Sequence, residues 1–120
     1  LPADQQAARE ALQKAAHCDA LPDDMLAGMV NIQRLRDARL AAVALEALGV
    51  TGGPVVVITG NGHARKDWGA PAVLAYAKPE ARIFALAQGE EGHAAPEGGF
   101  DRTETSPATE REDPCAAFRK

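Results

Sequence analysis

An unbroken β-branched run, Val55-Val56-Val57-Ile58, leads through Thr59 into Gly60-Asn61-Gly62-His63. Branching at Cβ stiffens χ1 and favours a pleated backbone. Four such residues in a row suit a central strand buried on both faces, as in parallel or mixed sheets. Gly60-Asn61-Gly62 permits a sharp turn with positive φ. A strand over 54–59 would therefore end there and present His63 at its carboxyl end, where open α/β sheets bind ligands. His63 is a candidate site residue; the competing reading is a histidine that caps or braces a βα turn.

The rest of the chain supplies elements to layer on such a strand. Pro2 and Asp4 precede an Ala/Gln/Glu-rich stretch and predict a helix over about 3–17. Leu21-Pro22-Asp23-Asp24 opens a longer helix, about 22–48, stopped by Gly49. Gly69-Ala70-Pro71 opens a short helix, about 70–78, that Pro79 ends. Ile83 to Ala87 reads as a second buried strand, 88–99 as a Gly/Glu-rich loop, and Phe100 to Glu104 as a third, edge strand. The tail from Thr105 reads as irregular. The expected class is α/β, with helices packed on a parallel or mixed sheet. Three parts follow: helical (1–50), strand-helix-strand (51–104) and tail (105–120). With 120 residues, 46% hydrophobic but only 4% aromatic, the chain supports one domain with a light Ala/Val/Leu core. Such a core is expected to complete itself against another segment or a second copy.

The long helix holds a polar interruption. Met25, Met29, Ile32, Leu40 and Val43 form one apolar seam, with Arg36 near its middle. Met29, Gln33, Arg36 and Leu40 lie at offsets of 0, 4, 7 and 11, on one helical face. An Arg in an apolar seam needs an acidic partner or a route to solvent. Asp37 follows it directly. Beyond the turn, Arg65, Lys66 and Asp67 form a charged loop in which Arg65 can meet an anionic ligand. Trp68 fits packing beneath that loop. His17 and His93 lack a supporting pattern, and the lone serine, Ser106, sits in the polar tail, away from any Ser-His-Asp arrangement.

Bulk properties exclude some classes. A net charge of −4 argues against nucleic acid as a partner. No apolar run approaches the roughly 20 residues of a membrane span. The chain opens at Leu1 without a signal-peptide pattern and is expected to be processed, truncated or excised. Its cysteines, Cys18 and Cys115, form no Cys-x-x-Cys pair. They read either as one long-range disulfide or as two separate thiols.

The stretch Ile58-Thr59-Gly60-Asn61-Gly62-His63-Ala64-Arg65-Lys66-Asp67-Trp68-Gly69-Ala70-Pro71 resembles the second Gly-x-x-His motif of the ChaN-like, haem-binding, iron-regulated lipoproteins. These belong to the superfamily that includes the Tiki/TraB proteins and erythromycin esterases. Gln33-Arg34-Leu35-Arg36-Asp37-Ala38-Arg39-Leu40-Ala41 resembles that family's Arg-Asp helix, and Arg111-Glu112-Asp113-Pro114-Cys115-Ala116-Ala117-Phe118 the end of its proteobacterial members. The resemblance corresponds to the carboxyl-terminal half of the family domain. It implies a non-catalytic haem-binding protein of bacterial iron uptake, periplasmic or anchored in the envelope. The partners it implies are haem and either a homodimeric copy or the missing amino-terminal half. It further implies that His63, Arg65, Met29 and Gln33 line the site and that Arg36 faces a propionate. Tyr76, the lone tyrosine, or His63 would meet the iron. An envelope location favours a Cys18–Cys115 disulfide. The alternative implied by the wider superfamily is a metal-dependent hydrolase with His63 as metal ligand or base.

Overall fold

The computed structural model describes residues 1–119 and has a small α/β fold. Four helices run in chain order: α1 (Ala3–Ala16), α2 (Leu26–Thr51), the single turn α3 (Asn61–Ala64) and α4 (Ala70–Ala77). Two strands follow, β1 (Leu86–Glu90) and β2 (Arg102–Ser106). They pair in parallel, with Leu86 opposite Arg102 and Glu90 opposite Ser106. Short 3-10 turns cover Asp23–Met25 and Ala116–Phe118. The chain divides into two compact units, one of Leu1–Arg34 with the tail from Glu110, the other of Leu35–Thr109.

In the first unit, strong helix formers build α1, and Asp4 sits in its first turn, where the positive end of the dipole favours an anion. Arg9 is buried and donates to Gln5 one turn back at 2.9 Å. Gln13 donates to Gln33 at 2.6 Å, tying α1 to the start of α2. Leu26 and Val30 are the buried apolar residues of this unit. Fully burying one such side chain contributes roughly 1.5–3 kcal/mol. Cys18 and Cys115 form a disulfide, with Cα atoms 5.4 Å apart and a sequence separation of 97.

The second unit has the light core expected from so few aromatics: Ala41, Ala44, Ala70, Ala85 and Ala87 are buried. Alanine lets backbones approach closely but removes little apolar surface from water. The buried positions of α2 are Leu26, Val30, Asp37, Ala41 and Ala44. This stripe lies one residue round from the seam expected through Met25, Met29, Ile32, Leu40 and Val43. Met25, Ile32 and Val43 are exposed, and so is Arg36. The reason is that small Ala41 and Ala44 admit close packing and Asp37 finds a polar partner. Arg36 therefore reaches water.

The strand expected over 54–59 does not form, which corrects the strand-helix-strand reading of 51–104. No ladder partner lies beside these residues among those described, and without one an extended segment is not a strand. The run expected to be buried on both faces is open: Ile58 is 89% exposed and Val56 82%. The pairing occurs later in the chain. The strands expected at 83–87 and 100–104 form at Leu86–Glu90 and Arg102–Ser106, displaced carboxyl-terminally.

Candidate functional site

His63 stands on the single turn α3, on a loop fastened at several points. Gly60 is extended, with φ −66° and ψ 152°, and its carbonyl accepts from the His63 and Ala64 amides at 3.0 and 3.2 Å. Asn61 makes the link to the sheet. Its side-chain Nδ2 donates to the Gln88 carbonyl at 2.7 Å, and its Oδ1 accepts from the Gln88 amide at 3.0 Å. The carboxamide thus pairs with both main-chain groups of one β1 residue, as a neighbouring strand would.

The far side of the loop closes on itself. Gly69 donates its amide to the Arg65 carbonyl at 2.9 Å. A Cβ at Gly69 would lie 2.3 Å from the His63 carbonyl oxygen, so only glycine fits there. Arg65 is buried, with its guanidinium turned inward. Asp67 accepts from it twice, and Trp68 lies 3.8 Å beneath it. The Gly99 amide donates to the same carboxylate at 3.1 Å, and the Lys66 amide donates to the Gly99 carbonyl at 2.7 Å. Lys66 also pairs with Asp101 at 3.0 Å. The Ala85 amide, and after it Lys66, holds the Asp101 carboxyl below the usual carboxylate range.

With its backbone held in this way, the His63 ring meets α2. Its Nδ1 lies 2.6 Å from Oδ1 of Asp37, which is 1% exposed. An ionised carboxylate only accepts, so the ring nitrogen donates. The other ring nitrogen, Nε2, has no hydrogen-bond partner among the described residues, and the side chain is 23% exposed. The pair is a histidine braced by a buried carboxylate, with one nitrogen left to act. Such an arrangement orients imidazoles that bind metals and imidazoles that move protons. A group of three or more His, Cys, Asp and Glu placed to hold a metal ion does not occur among the described residues.

The sequence-derived site residues divide between the units. Arg36, His63, Arg65 and Tyr76 belong to the second, Met29 and Gln33 to the first. Gln33 accepts the Gln13 hydrogen bond and Met29 is half-buried. Tyr76 is 90% exposed on α4. His17 braces its own helix end, Nδ1 to the Gln13 carbonyl at 2.8 Å, and His93 lies 3.8 Å from Glu90. Sequence reasoning noticed Asp37 only as the neighbour of Arg36, and Asn61 only as a turn former. The signal for Asp37 was its place in the stripe of Val30, Ala41 and Ala44.

The family model described as haem-binding uptake, Tiki superfamily, ChaN matches residues 1–74. The chain belongs to the ChaN family. The ChaN match contains α1, α2, Asp37, Asn61 and His63 with its loop; Tyr76 and Cys115 fall beyond it. No curated protein and no solved structure matches the chain.

Proposed function

We propose that this ChaN-family chain binds haem in bacterial iron uptake without turning it over, and that His63 Nε2 is the group offered to the iron. The observation that carries this reading is the 2.6 Å contact between His63 and buried Asp37, which occupies Nδ1 and leaves Nε2 without a hydrogen-bond partner among the described residues. The same unit has residues suited to a porphyrin. Val56, Ile58 and Phe84 are exposed apolar side chains able to cover its faces, and Tyr76 offers an exposed ring and phenol. Exposed Arg36 supplies a cation for a propionate, Arg65 stiffens the His63 loop, and Met29 and Gln33 contribute to α2. Bound haem would supply a Lewis-acidic iron. His63 would hold it, and a second copy or a further segment would cover the open apolar surface. The disulfide suits an oxidising compartment such as the periplasm or the outer face of an envelope-anchored lipoprotein. No helix among the described residues is long and apolar enough to cross a membrane.

Haem titration of the parent and its His63→Ala, Tyr76→Phe and Arg36→Ala variants tests this. The parent should develop a shifted Soret band. His63→Ala should weaken binding or change the iron's spin state, and Tyr76→Phe should leave both in place. Arg36 is exposed, so Arg36→Ala should cost at most about 1 kcal/mol, or roughly fivefold, and less at high salt. No Soret shift in the parent ends the haem reading. The same braced imidazole would serve a metal-dependent hydrolase as ligand or base. Metal analysis of the purified protein, followed by peptidase and esterase assays, tests that alternative.

A further inference from the structure

We infer that Asp37 is a positioning residue that selects the tautomer of His63, keeping the neutral ring protonated at Nδ1 and presenting Nε2 as a lone pair. Four observations combine here. Asp37 is 1% exposed, so its carboxylate cannot swing out to water in place of the ring. Its Oδ1 lies 2.6 Å from Nδ1, within charge-assisted hydrogen-bond distance. The carboxylate rides on α2 within a stripe whose neighbours one and two turns further along, Ala41 and Ala44, are buried, so the helix cannot roll to release it. The His63 backbone is held independently, by the Asn61–Gln88 pair on one side and by the Gly69 contact on the other. Ring and carboxylate therefore meet between two fixed backbones. In water a neutral imidazole samples both tautomers, and only the one protonated at Nδ1 can donate to Asp37. The selected ring has its basic nitrogen on the side of the imidazole away from the carboxylate, on a side chain that is 23% exposed. That the electrophile there is haem iron rests on the proposed function; the tautomer selection does not.

Nitrogen-15 NMR of the His63 ring in the ligand-free protein, recorded well above the ordinary histidine pKa range, reads the tautomer directly. The parent should show a protonated Nδ1 and an unprotonated Nε2. In Asp37→Ala the acceptor is gone, and the neutral ring should sample both tautomers as it does in water. A purely structural role for Asp37 would leave the tautomer unchanged. A parent ring protonated mainly at Nε2 overturns the inference, and this measurement stands even where a variant fails to fold. An unchanged tautomer in folded Asp37→Ala also overturns it. Haem titration of the same variant should show affinity reduced by about 10- to 100-fold, the usual effect of removing a carboxylate behind a ligating histidine. Loss of tautomer selection in the variant without any Soret change in the parent upholds the role of Asp37 and removes haem as the ligand.

Discussion

Asp67 grips Arg65 with both carboxylate oxygens, Oδ1 accepting from Nε and Oδ2 from a terminal guanidinium nitrogen, each at 2.7 Å. The two residues are separated only by Lys66, so the grip folds the chain back sharply just after the His63 turn. The guanidinium also lies over the Trp68 ring, 3.8 Å from its centroid. A Cβ at Gly98, where φ is +123°, would lie 2.5 Å from the Arg65 Nε. The cation is thus enclosed by its own loop and by the segment that leads into β2.

The Arg65 hydrogen bonds, with the Gly99 amide, hold the Asp67 carboxyl at about 2. A carboxyl whose folded pKa lies below its unfolded value of about 3.9 adds stability that is complete above that value. The contribution is lost as pH falls through the folded value. Asp67 is partly exposed, so screening keeps the effect near or under about 1 kcal/mol. Asp67→Asn should melt lower than the parent at neutral pH, and the gap should close between about pH 4 and pH 2. Thermal melts across that window check this; a constant gap would assign the deficit to packing instead.

Asn61 replaces a missing strand neighbour for Gln88. Its side chain makes two hydrogen bonds to that residue's backbone, each worth about 0.5–1.5 kcal/mol net. Asn61→Ala should destabilise the second unit by about 1–2 kcal/mol and speed exchange of the Gln88 amide. Asn61→Asp retains the acceptor but sets an oxygen against the Gln88 carbonyl, and should recover little. Site-resolved hydrogen exchange measures both, and protection unchanged in Asn61→Ala would show that the link adds nothing.

Gly69 is a steric requirement rather than a conformational one, because its φ of −83° is open to any residue. The obstacle is backbone: a Cβ would lie 2.3 Å from the His63 oxygen and 2.8 Å from the Arg65 oxygen. Backbone cannot rotate aside as a side-chain tip can. Gly69→Ala should cost about 1–3 kcal/mol and displace the His63 ring from Asp37. Denaturant melts give the first quantity and the His63 ring nitrogen shifts the second. A variant as stable as the parent with unchanged shifts would show that the loop has room to spare.

The Cys18–Cys115 bridge closes a loop whose ends are separated by 97 in sequence. On the chain-entropy account a loop near that length stabilises by about 4–5 kcal/mol. A core built mainly of alanine gives the chain few other reserves. Cys18→Ser with Cys115→Ser, or reduction of the parent, should lower the melting temperature markedly. Thiol titration of unreduced, denatured protein should find no free thiols, and two per chain would contradict the bridge.

Much of the architecture was legible from local chemistry. Ala-rich composition, Pro22 and Pro79 as boundary residues, and the Gly69-Ala70-Pro71 opening mark helices close to where they form, because capping and proline sterics act within one turn. Gly60-Asn61-Gly62-His63 was legible as a turn presenting a histidine for the same reason. The β-branched run misled because strand formation depends on a neighbour. Val55 to Ile58 have the propensity, yet only residues 86–90 and 102–106 find each other among those described.

The sequence by itself determined the helices, the turn that carries His63, the family motif around it and the pairing chemistry open to two cysteines. All of these follow from interactions over a few residues or from composition. Tertiary structure alone decided which side of α2 turns inward, and so whether Arg36 or Asp37 would be the buried charge. Those two residues differ by one position, about 100° around the helix, and no local preference separates them. The choice fell to packing. Alanines at 41 and 44 admitted close contact, and His63, 26 residues away in sequence, supplied the donor that makes a buried carboxylate tolerable.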